Sequence, residues 1–165
     1  MIKGKDVFIG KYSLINENVK IGKRSRVWNF CKLYGCQIGT NTEVGSYCEI
    51  KNNAKIGDNC IIKSYVSIAS GTQIKDYVFI GPRVIFLNDK IPSVKAVLED
   101  SWNLEEIIIE DEVTIGGGAI ILPGLRIGKN SFIGAGSIVT KNIPPNEIWL
   151  GNPARFLQKK KSIKV

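Results

Sequence analysis

Four cysteines are the residues whose possible chemistry is easiest to test, because thiols bind metals, form disulfides or act as nucleophiles. They are Cys31, Cys36, Cys48 and Cys60, and no two of them form the C-x-x-C pair that is typical of zinc sites. The chain contains no histidine, which excludes a histidine base and histidine metal ligands. We therefore predict structural thiols and no metal site.

A second group of reactive side chains is a cluster of carboxylates in the second half of the chain. The pattern predicts a solvated acidic rim beside a loop, which could also repel or orient an anionic ligand. Its members are Glu99, Asp100, Glu105, Glu106, Glu110, Asp111 and Glu112.

The element that must position any site is a six-residue repeat. A large apolar residue returns every six positions from Ile9 to Phe86, with one five-residue step between Leu33 and Ile38. The series resumes at Ile109 and ends at Val139, so that twenty consecutive positions fit. A helix would give period 3.6 and an ordinary strand period two, so the repeat indicates short strands separated by bends.

A second series of small or apolar residues, such as Ser25, Cys31 and Thr42, follows the first by four positions. Three short strands would close one triangular coil, and coils would stack through backbone hydrogen bonds about 4.8 Å apart. The predicted fold class is all-β, with residues 1–165 forming one parallel β-helix domain of about seven coils. The three cysteines at 31, 48 and 60 fall on the inward series.

Three departures from the repeat carry further predictions. The five-residue step places Tyr34, Gly35 and Cys36 in a local bulge, where Cys36 could be more exposed. Residues 87–108 lack the repeat and should form an extruded loop, which is usually functional or disordered at this length. Residues 144–165 should cap the last coil and include a short C-terminal helix.

Composition limits the partners. The net charge is +8, which favours anionic partners such as phosphates and nucleotides. No nucleic-acid module and no apolar run long enough for a membrane helix occur, and the N-terminus lacks a signal-peptide pattern. We expect a cytoplasmic protein with no membrane insertion. The lysines at the end of the chain indicate a solvated tail (Lys159, Lys160, Lys161 and Lys164).

Three segments carry a resemblance to a known family. Residues 151–155 (GNPAR) are similar to the C-terminal signature of the hexapeptide-repeat acyltransferases. Residues 88–90 (NDK) and 27–30 (VWNF) resemble the bacterial N-acetyltransferases that acylate the 3-amino group of nucleotide-linked deoxyamino sugars. The resemblance implies a left-handed β-helix, a homotrimer with active sites between neighbouring prisms, acetyl-CoA as co-substrate and a role in surface glycan (lipopolysaccharide) synthesis.

The resemblance also assigns roles to individual residues. Asn88 and Asp89 would be catalytic and meet the sugar amine and its neighbouring hydroxyl. For acetyl-CoA, the resemblance implies contacts with Gly117, Ala135, Gly136, Lys141 and Arg155. For the nucleotide sugar, it implies contacts with Trp28, Asn29, Tyr34 and Lys90.

The missing histidine favours an amine as acceptor. A sugar hydroxyl needs a base near neutral pH, whereas a neutral amine attacks a thioester directly. We therefore expect transfer to a dTDP- or UDP-linked amino sugar, without an acyl-enzyme. Two alternatives stay open: a sugar or polysaccharide O-acetyltransferase in which a carboxylate replaces histidine, and a non-enzymatic β-helix that serves as an assembly subunit.

Overall fold

The protein is a three-walled prism of short parallel strands. The computed structural model describes residues 1–99, 101 and 104–160. Strands β1–β21 are two residues long, and each pairs in parallel with the equivalent strand one coil up or down. The separation is about 18 residues, except for the three pairs that span the extruded loop, where it is 35. Three successive strands make one coil, so β1–β3 form coil one and β19–β21 form coil seven.

Each wall is one sheet. Wall A consists of β1 (Ile2–Lys3), β4 (Lys20–Ile21), β7 (Gln37–Ile38), β10 (Lys55–Ile56), β13 (Gln73–Ile74), β16 (Ile108–Ile109) and β19 (Arg126–Ile127). Wall B consists of β2 (Phe8–Ile9), β5 (Arg26–Val27), β8 (Glu43–Val44), β11 (Ile61–Ile62), β14 (Phe79–Ile80), β17 (Thr114–Ile115), β20 (Phe132–Ile133), β22 (Glu147–Leu150) and β23 (Arg155–Lys159). Wall C consists of β3 (Leu14–Ile15), β6 (Lys32–Leu33), β9 (Glu49–Ile50), β12 (Ser67–Ile68), β15 (Ile85–Phe86), β18 (Ile120–Ile121) and β21 (Ile138–Val139).

The predicted repeat is confirmed by the interior. Every position of the first apolar series is buried except Ile9 and Ile15, which lie near the open lower end and are half-buried. Burying one such side chain contributes about 1.5–3 kcal/mol, so the stripe supplies the core of the prism. The parallel β-helix is therefore confirmed, and its left hand stays a prediction.

The second inward series joins successive coils by hydrogen bonds. The Ser25 hydroxyl donates to a carbonyl of the next coil at 2.7 Å and accepts from the Thr42 N–H at 3.0 Å. The thiols of Cys31, Cys48 and Cys60 donate in the same way, each with a sulfur–oxygen distance of 3.1 Å. Burial raises the pKa of Cys48 to about 12 and the pKa of Cys60 to about 11. These thiols are structural, as predicted.

The five-residue step does not expose its cysteine. Cys36 is fully buried, and burial raises its pKa to about 11. Gly35 takes a φ of +49°, which lets a corner one residue shorter than the others close between β6 and β7. The prediction of a structural thiol at Cys36 agrees with this burial. The alternative of a more exposed Cys36 is wrong, because the shorter corner turns its side chain into the core.

The predicted C-terminal helix is wrong in the described residues. β22 adds to wall B in parallel beside β20, and β23 returns antiparallel to β22. The last coil would otherwise leave the edge of β20 unpaired, and the hairpin satisfies those backbone groups. The Glu147 carboxylate, buried here, accepts hydrogen bonds from Trp149 Nε1 and Lys159 Nζ. Residues 161–165 lie outside the described residues.

The extruded loop leaves the prism between β15 and β16. Leu87 and Ile107 still follow the coil, since the Leu87 N–H donates to wall C at 3.0 Å and Ile107 is buried. The loop holds one helix, α1 (Val94–Leu98), whose first turn is capped by the Ser93 hydroxyl. In the described part of the chain no helix is long and apolar enough to cross a membrane.

Candidate functional site

The predicted site residues lie on two different edges of the prism. We call the corners between walls A, B and C the A–B, B–C and C–A edges. Trp28 and Asn29 lie on the B–C edge in coil two, and Gly117, Ala135 and Gly136 lie on the same edge in coils six and seven. The cofactor candidates of the B–C edge are thus stacked in adjacent coils.

The other candidates lie on or near the C–A edge. Tyr34 stands there in coil two, Lys141 in coil seven, and Asn88, Asp89 and Lys90 at the base of the loop in coil five. Wall C separates the two edges, so that within one chain Asp89 and the cofactor candidates of the B–C edge lie on different corners of the prism.

The upper B–C edge is a strip almost without side chains, which we call the glycine strip (residues 116–118 and 134–136). Gly136 has a φ of +68°, and a Cβ added there would meet no atom within 4 Å. The N–H groups of Gly117 and Ala135 donate to no atom of the described residues. An extended ligand could therefore lie close to the backbone here and accept hydrogen bonds from these two N–H groups.

On the A–B edge, three N–H groups at the equivalent corner positions are bound by side chains. There Asp58 Oδ1 accepts the Thr40 N–H at 2.6 Å, and Asp76 Oδ1 accepts the Asp58 N–H at 2.7 Å. Asp111 continues this ladder by accepting from the Asp76 N–H at 3.1 Å. Side chains thus accept hydrogen bonds from three backbone N–H groups on the A–B edge, whereas the N–H groups of Gly117 and Ala135 on the glycine strip have no such acceptor among the residues that the structure describes.

Asn29 acts as a member of such a ladder. Its Oδ1 accepts the Lys11 N–H of the coil below at 2.9 Å. Neighbouring Trp28 packs edge-on against Phe8 with ring centroids 5.5 Å apart, and its ring is partly exposed. The geometry gives Asn29 a structural bond and leaves part of Trp28 open to a ligand.

The loop base is held by local contacts. Asp89 Oδ1 accepts the Ile91 N–H at 2.9 Å, which is ordinary turn chemistry. Lys90 Nζ lies 2.5 Å from Glu105 Oε2, with both side chains partly exposed. Glu105 in turn lies over Gly124, where a Cβ would approach the carboxylate to 2.3 Å. The Lys90–Glu105 ion pair therefore links the beginning and the end of the loop next to the C–A edge.

Lys141 and Arg155 stand at the upper end of the molecule. Lys141 Nζ lies 5.2 Å from the centroid of the Trp149 ring, and Arg155 Nη1 donates to the Ala154 carbonyl at 3.0 Å. Neither is paired with a carboxylate in the described residues, so both cations can meet an anion.

The acidic rim is partly neutralised. Glu112 pairs with Lys129 at 3.1 Å, and Glu110 pairs with Arg126. Asp100 lies outside the described residues. No group of three or more cysteine and carboxylate side chains could hold a metal ion within the described ranges.

The lower B–C edge carries an aromatic column that was not predicted from the sequence. Tyr12, Phe30, Tyr47 and Tyr65 stack in successive coils with centroid distances of 5.2, 4.9 and 4.9 Å. Arg83 follows in coil five, with its guanidinium carbon 5.4 Å from the centroid of the Tyr65 ring. All of these residues lie three positions after a member of the first apolar series, so the repeat itself held the signal.

Comparison with known proteins agrees with this architecture. The family model described as bacterial transferase hexapeptide (six repeats) matches residues 35–70, 53–88 and 106–141, more than half of the chain. A galactoside O-acetyltransferase of Lactococcus lactis subsp. lactis (strain IL1403) is 53% identical over 55 residues, which are 33% of this chain and 27% of that protein. The chain spans roughly a quarter to two fifths of the length of this and the next two curated relatives.

Two solved structures have folds similar to that of this chain. A variant of AntD, an N-acyltransferase from Bacillus cereus in complex with dTDP and coenzyme A, is 25% identical with a TM-score of 0.64, covering 97% of this chain and 83% of that one. A perosamine N-acetyltransferase variant from Caulobacter crescentus, in complex with CoA and GDP-perosamine, also has a TM-score of 0.64. It is 17% identical over 93% of this chain and 57% of that one, a likeness of fold.

Proposed function

The chain belongs to the bacterial transferase hexapeptide family, and on that premise we propose that it is an acetyl-CoA-dependent N-acetyltransferase. Its acceptor is the 3-amino group of a dTDP- or UDP-linked amino-deoxy sugar destined for surface glycans. The AntD complex, with dTDP and coenzyme A bound to a similar fold, supports this choice of substrate class.

The glycine strip is the observation that carries the proposal. The pantetheine arm of coenzyme A is a narrow chain with two amides, and its carbonyls need N–H donors in a groove without side chains. Gly117 and Ala135 offer such donors one coil apart, about 4.8 Å, and Gly136 leaves the approach open. Lys141 and Arg155 stand at the upper end of the molecule, the end toward which the phosphates of coenzyme A would lie, with Lys141 on the C–A edge.

A second copy of the chain is needed to complete the site. Asn88 and Asp89 lie across wall C from the glycine strip of their own chain. In a homotrimer whose three-fold axis runs parallel to the prism axis, every residue keeps its height. The loop base of coil five in one protomer then faces coils five and six of its neighbour, beside Gly117.

The chemistry is direct attack of the sugar amine on the thioester. The amine nitrogen forms a bond to the carbonyl carbon, the carbon–sulfur bond breaks, and coenzyme A leaves as a thiolate. Asp89 orients the amine and accepts its surplus proton, with the thiolate as the other possible acceptor. The Gly117 N–H stabilises the oxyanion that forms on the carbonyl oxygen. No step needs histidine, which the chain lacks.

The test is a screen of dTDP- and UDP-linked 3-amino sugars with acetyl-CoA, followed by release of the CoA thiol. We expect turnover with at least one amino sugar and none with the analogue that carries a hydroxyl instead. Asn88→Ala and Asp89→Ala should lower kcat/KM, whereas Asp6→Ala, an exposed carboxylate on the A–B edge, should not. Full kcat/KM in both loop variants would remove these residues from the mechanism.

O-acetyl transfer is the second candidate, because one curated relative, 53% identical over 55 residues, is a galactoside O-acetyltransferase. It would require a carboxylate such as Asp89 to act as the base. Turnover with hydroxyl sugars but not with amino sugars would favour it. If calorimetry detected no binding of coenzyme A, a non-enzymatic assembly subunit would become the better description.

A further inference from the structure

The lower B–C edge is an exposed row of aromatic rings, which we call the aromatic ladder (Tyr12, Phe30, Tyr47 and Tyr65). The four side chains are between 42 and 79% exposed. Neighbouring rings lie within 16° of parallel, so each covers the faces of the next and presents its edge outward. The positively polarised ring edges form a continuous surface against which the face of a planar π system can pack.

Arg83 ends the ladder as an unpaired cation. It is exposed and forms no ion pair within the described residues. Its guanidinium carbon lies 5.4 Å from the centroid of the Tyr65 ring, which is within cation–π distance. The next residues up the edge are Gly118 and Gly136, so no side chain covers the guanidinium from above. Its N–H groups form a fork that suits a diphosphate.

We infer that this edge binds the nucleoside diphosphate of the acceptor, with Arg83 on the diphosphate and the aromatic ladder against the base. The inference rests on the proposed function and extends it to residues that bind the acceptor. The charge of Arg83 complements a diphosphate, and the ladder complements a pyrimidine ring.

The heights of these residues match the order of groups in such a substrate. Adjacent coils are about 4.8 Å apart, so Arg83 in coil five stands about 10 Å above Tyr47 in coil three. That interval suits a diphosphate and a base with a ribose between them, at the level of Tyr65. The hexose then extends upward to the glycine strip and to Asp89 of the neighbouring protomer, where the thioester of acetyl-CoA would lie.

The experiment is a calorimetric titration of dTDP and of UDP into the full chain, with coenzyme A at saturation so that its own site is occupied. The variants are Arg83→Gln, Arg83→Lys and Tyr65→Asn. Asparagine suits the last position because Asn41 and Asn59 hold the same left-handed conformation on the A–B edge.

The chain offers a matched control for each variant. Arg24 and Tyr77 are exposed and have φ of +58° and +59° on the A–B edge, away from the ladder. Arg24→Gln and Tyr77→Asn therefore change the same groups in the same backbone geometry. Light scattering on every variant reports whether the assembly is kept.

We expect the wild type to bind at least one of the two nucleotides and Arg83→Gln to weaken that binding by about 10- to 100-fold. Arg83→Lys should fall between them, because it keeps the charge and loses the fork. Tyr65→Asn should weaken binding less than Arg83→Gln, and both controls should match the wild type.

Three results would overturn the inference: no binding of either nucleotide to the wild type, unchanged binding in Arg83→Gln, or binding that coenzyme A abolishes. A smaller particle in Tyr65→Asn with intact nucleotide affinity would make the ladder a subunit contact instead. If the wild type binds dTDP or UDP through Arg83 yet acetylates no amino sugar, the proposed function fails and this site stands.

Discussion

Replacing Gly136 by asparagine should block the cofactor track while leaving the fold intact. A side chain at this position would project from the glycine strip, since a Cβ there meets no atom of the chain within 4 Å. Asn130 and Asn146 already hold the same left-handed conformation at φ of +57° and +59°. The substitution therefore introduces bulk into the strip without a clash inside the protomer.

The two expected effects differ in size. An ordinary L-residue loses about 1–2 kcal/mol in the left-handed region, and asparagine loses less. A loss of 1 kcal/mol lowers Tm by roughly 2–4 °C at this chain length. If the side chain displaces two methylene groups of the pantetheine arm, the loss is about 1.6 kcal/mol, which raises the KM for acetyl-CoA roughly 15-fold.

The assay is initial-rate kinetics with acetyl-CoA varied at a fixed, saturating concentration of the amino sugar, together with a thermal melt. Asn130→Gly is the matched control, because it makes the reverse change on the A–B edge and removes the 2.8 Å bond to Asn146. It should lower Tm and leave KM unchanged. A folded Gly136→Asn enzyme with the wild-type KM would mean that the cofactor does not follow the glycine strip.

Three further outcomes follow from contacts described above. Asp76→Ala should lower the free energy of unfolding in urea by about 1 kcal/mol, and Asp76→Asn by less, because the amide keeps the 2.7 Å bond to the Asp58 N–H. The Lys159 hydrogen bond, helped by Trp149, holds the pKa of Glu147 below its ordinary value of 4.5, so its stabilisation is present above pH 4.5 and is lost as the pH falls through the lowered pKa. Glu147→Gln should therefore lower Tm at pH 7, and the difference from wild type should shrink on acidification. Ellman's reagent at pH 8 should label none of the four buried thiols in the native state and all four after unfolding.

The coil architecture could be predicted because it follows from one local rule. A hexad places one apolar residue inward and a small residue four positions later, so Ile62 and Val66 reveal their burial without knowledge of any partner. The cap could not be predicted in this way. Whether Arg155–Lys159 becomes a helix or a strand depends on the unpaired edge of β20, a feature of the assembled stack and not of the segment.

The site was only partly accessible to the same reasoning. Resemblance pointed to the glycine strip and the loop base, whose roles remain predictions, and it did not point to the bond that binds Lys90 to Glu105. The aromatic ladder was visible as a column three positions after Ile9, Val27, Val44 and Ile62. Spacing along the chain alone does not show that these rings touch, because only the stacked coils bring them to within about 5 Å of one another.

The loop between β15 and β16 leaves the winding of the prism unchanged. β15 pairs with the strands below and above it, and β16 does the same one wall further on, as if the intervening residues were an ordinary corner. The scaffold therefore tolerates exchange at this point. A longer, shorter or chemically different loop can be inserted there without a change in the strand pairing that supports it.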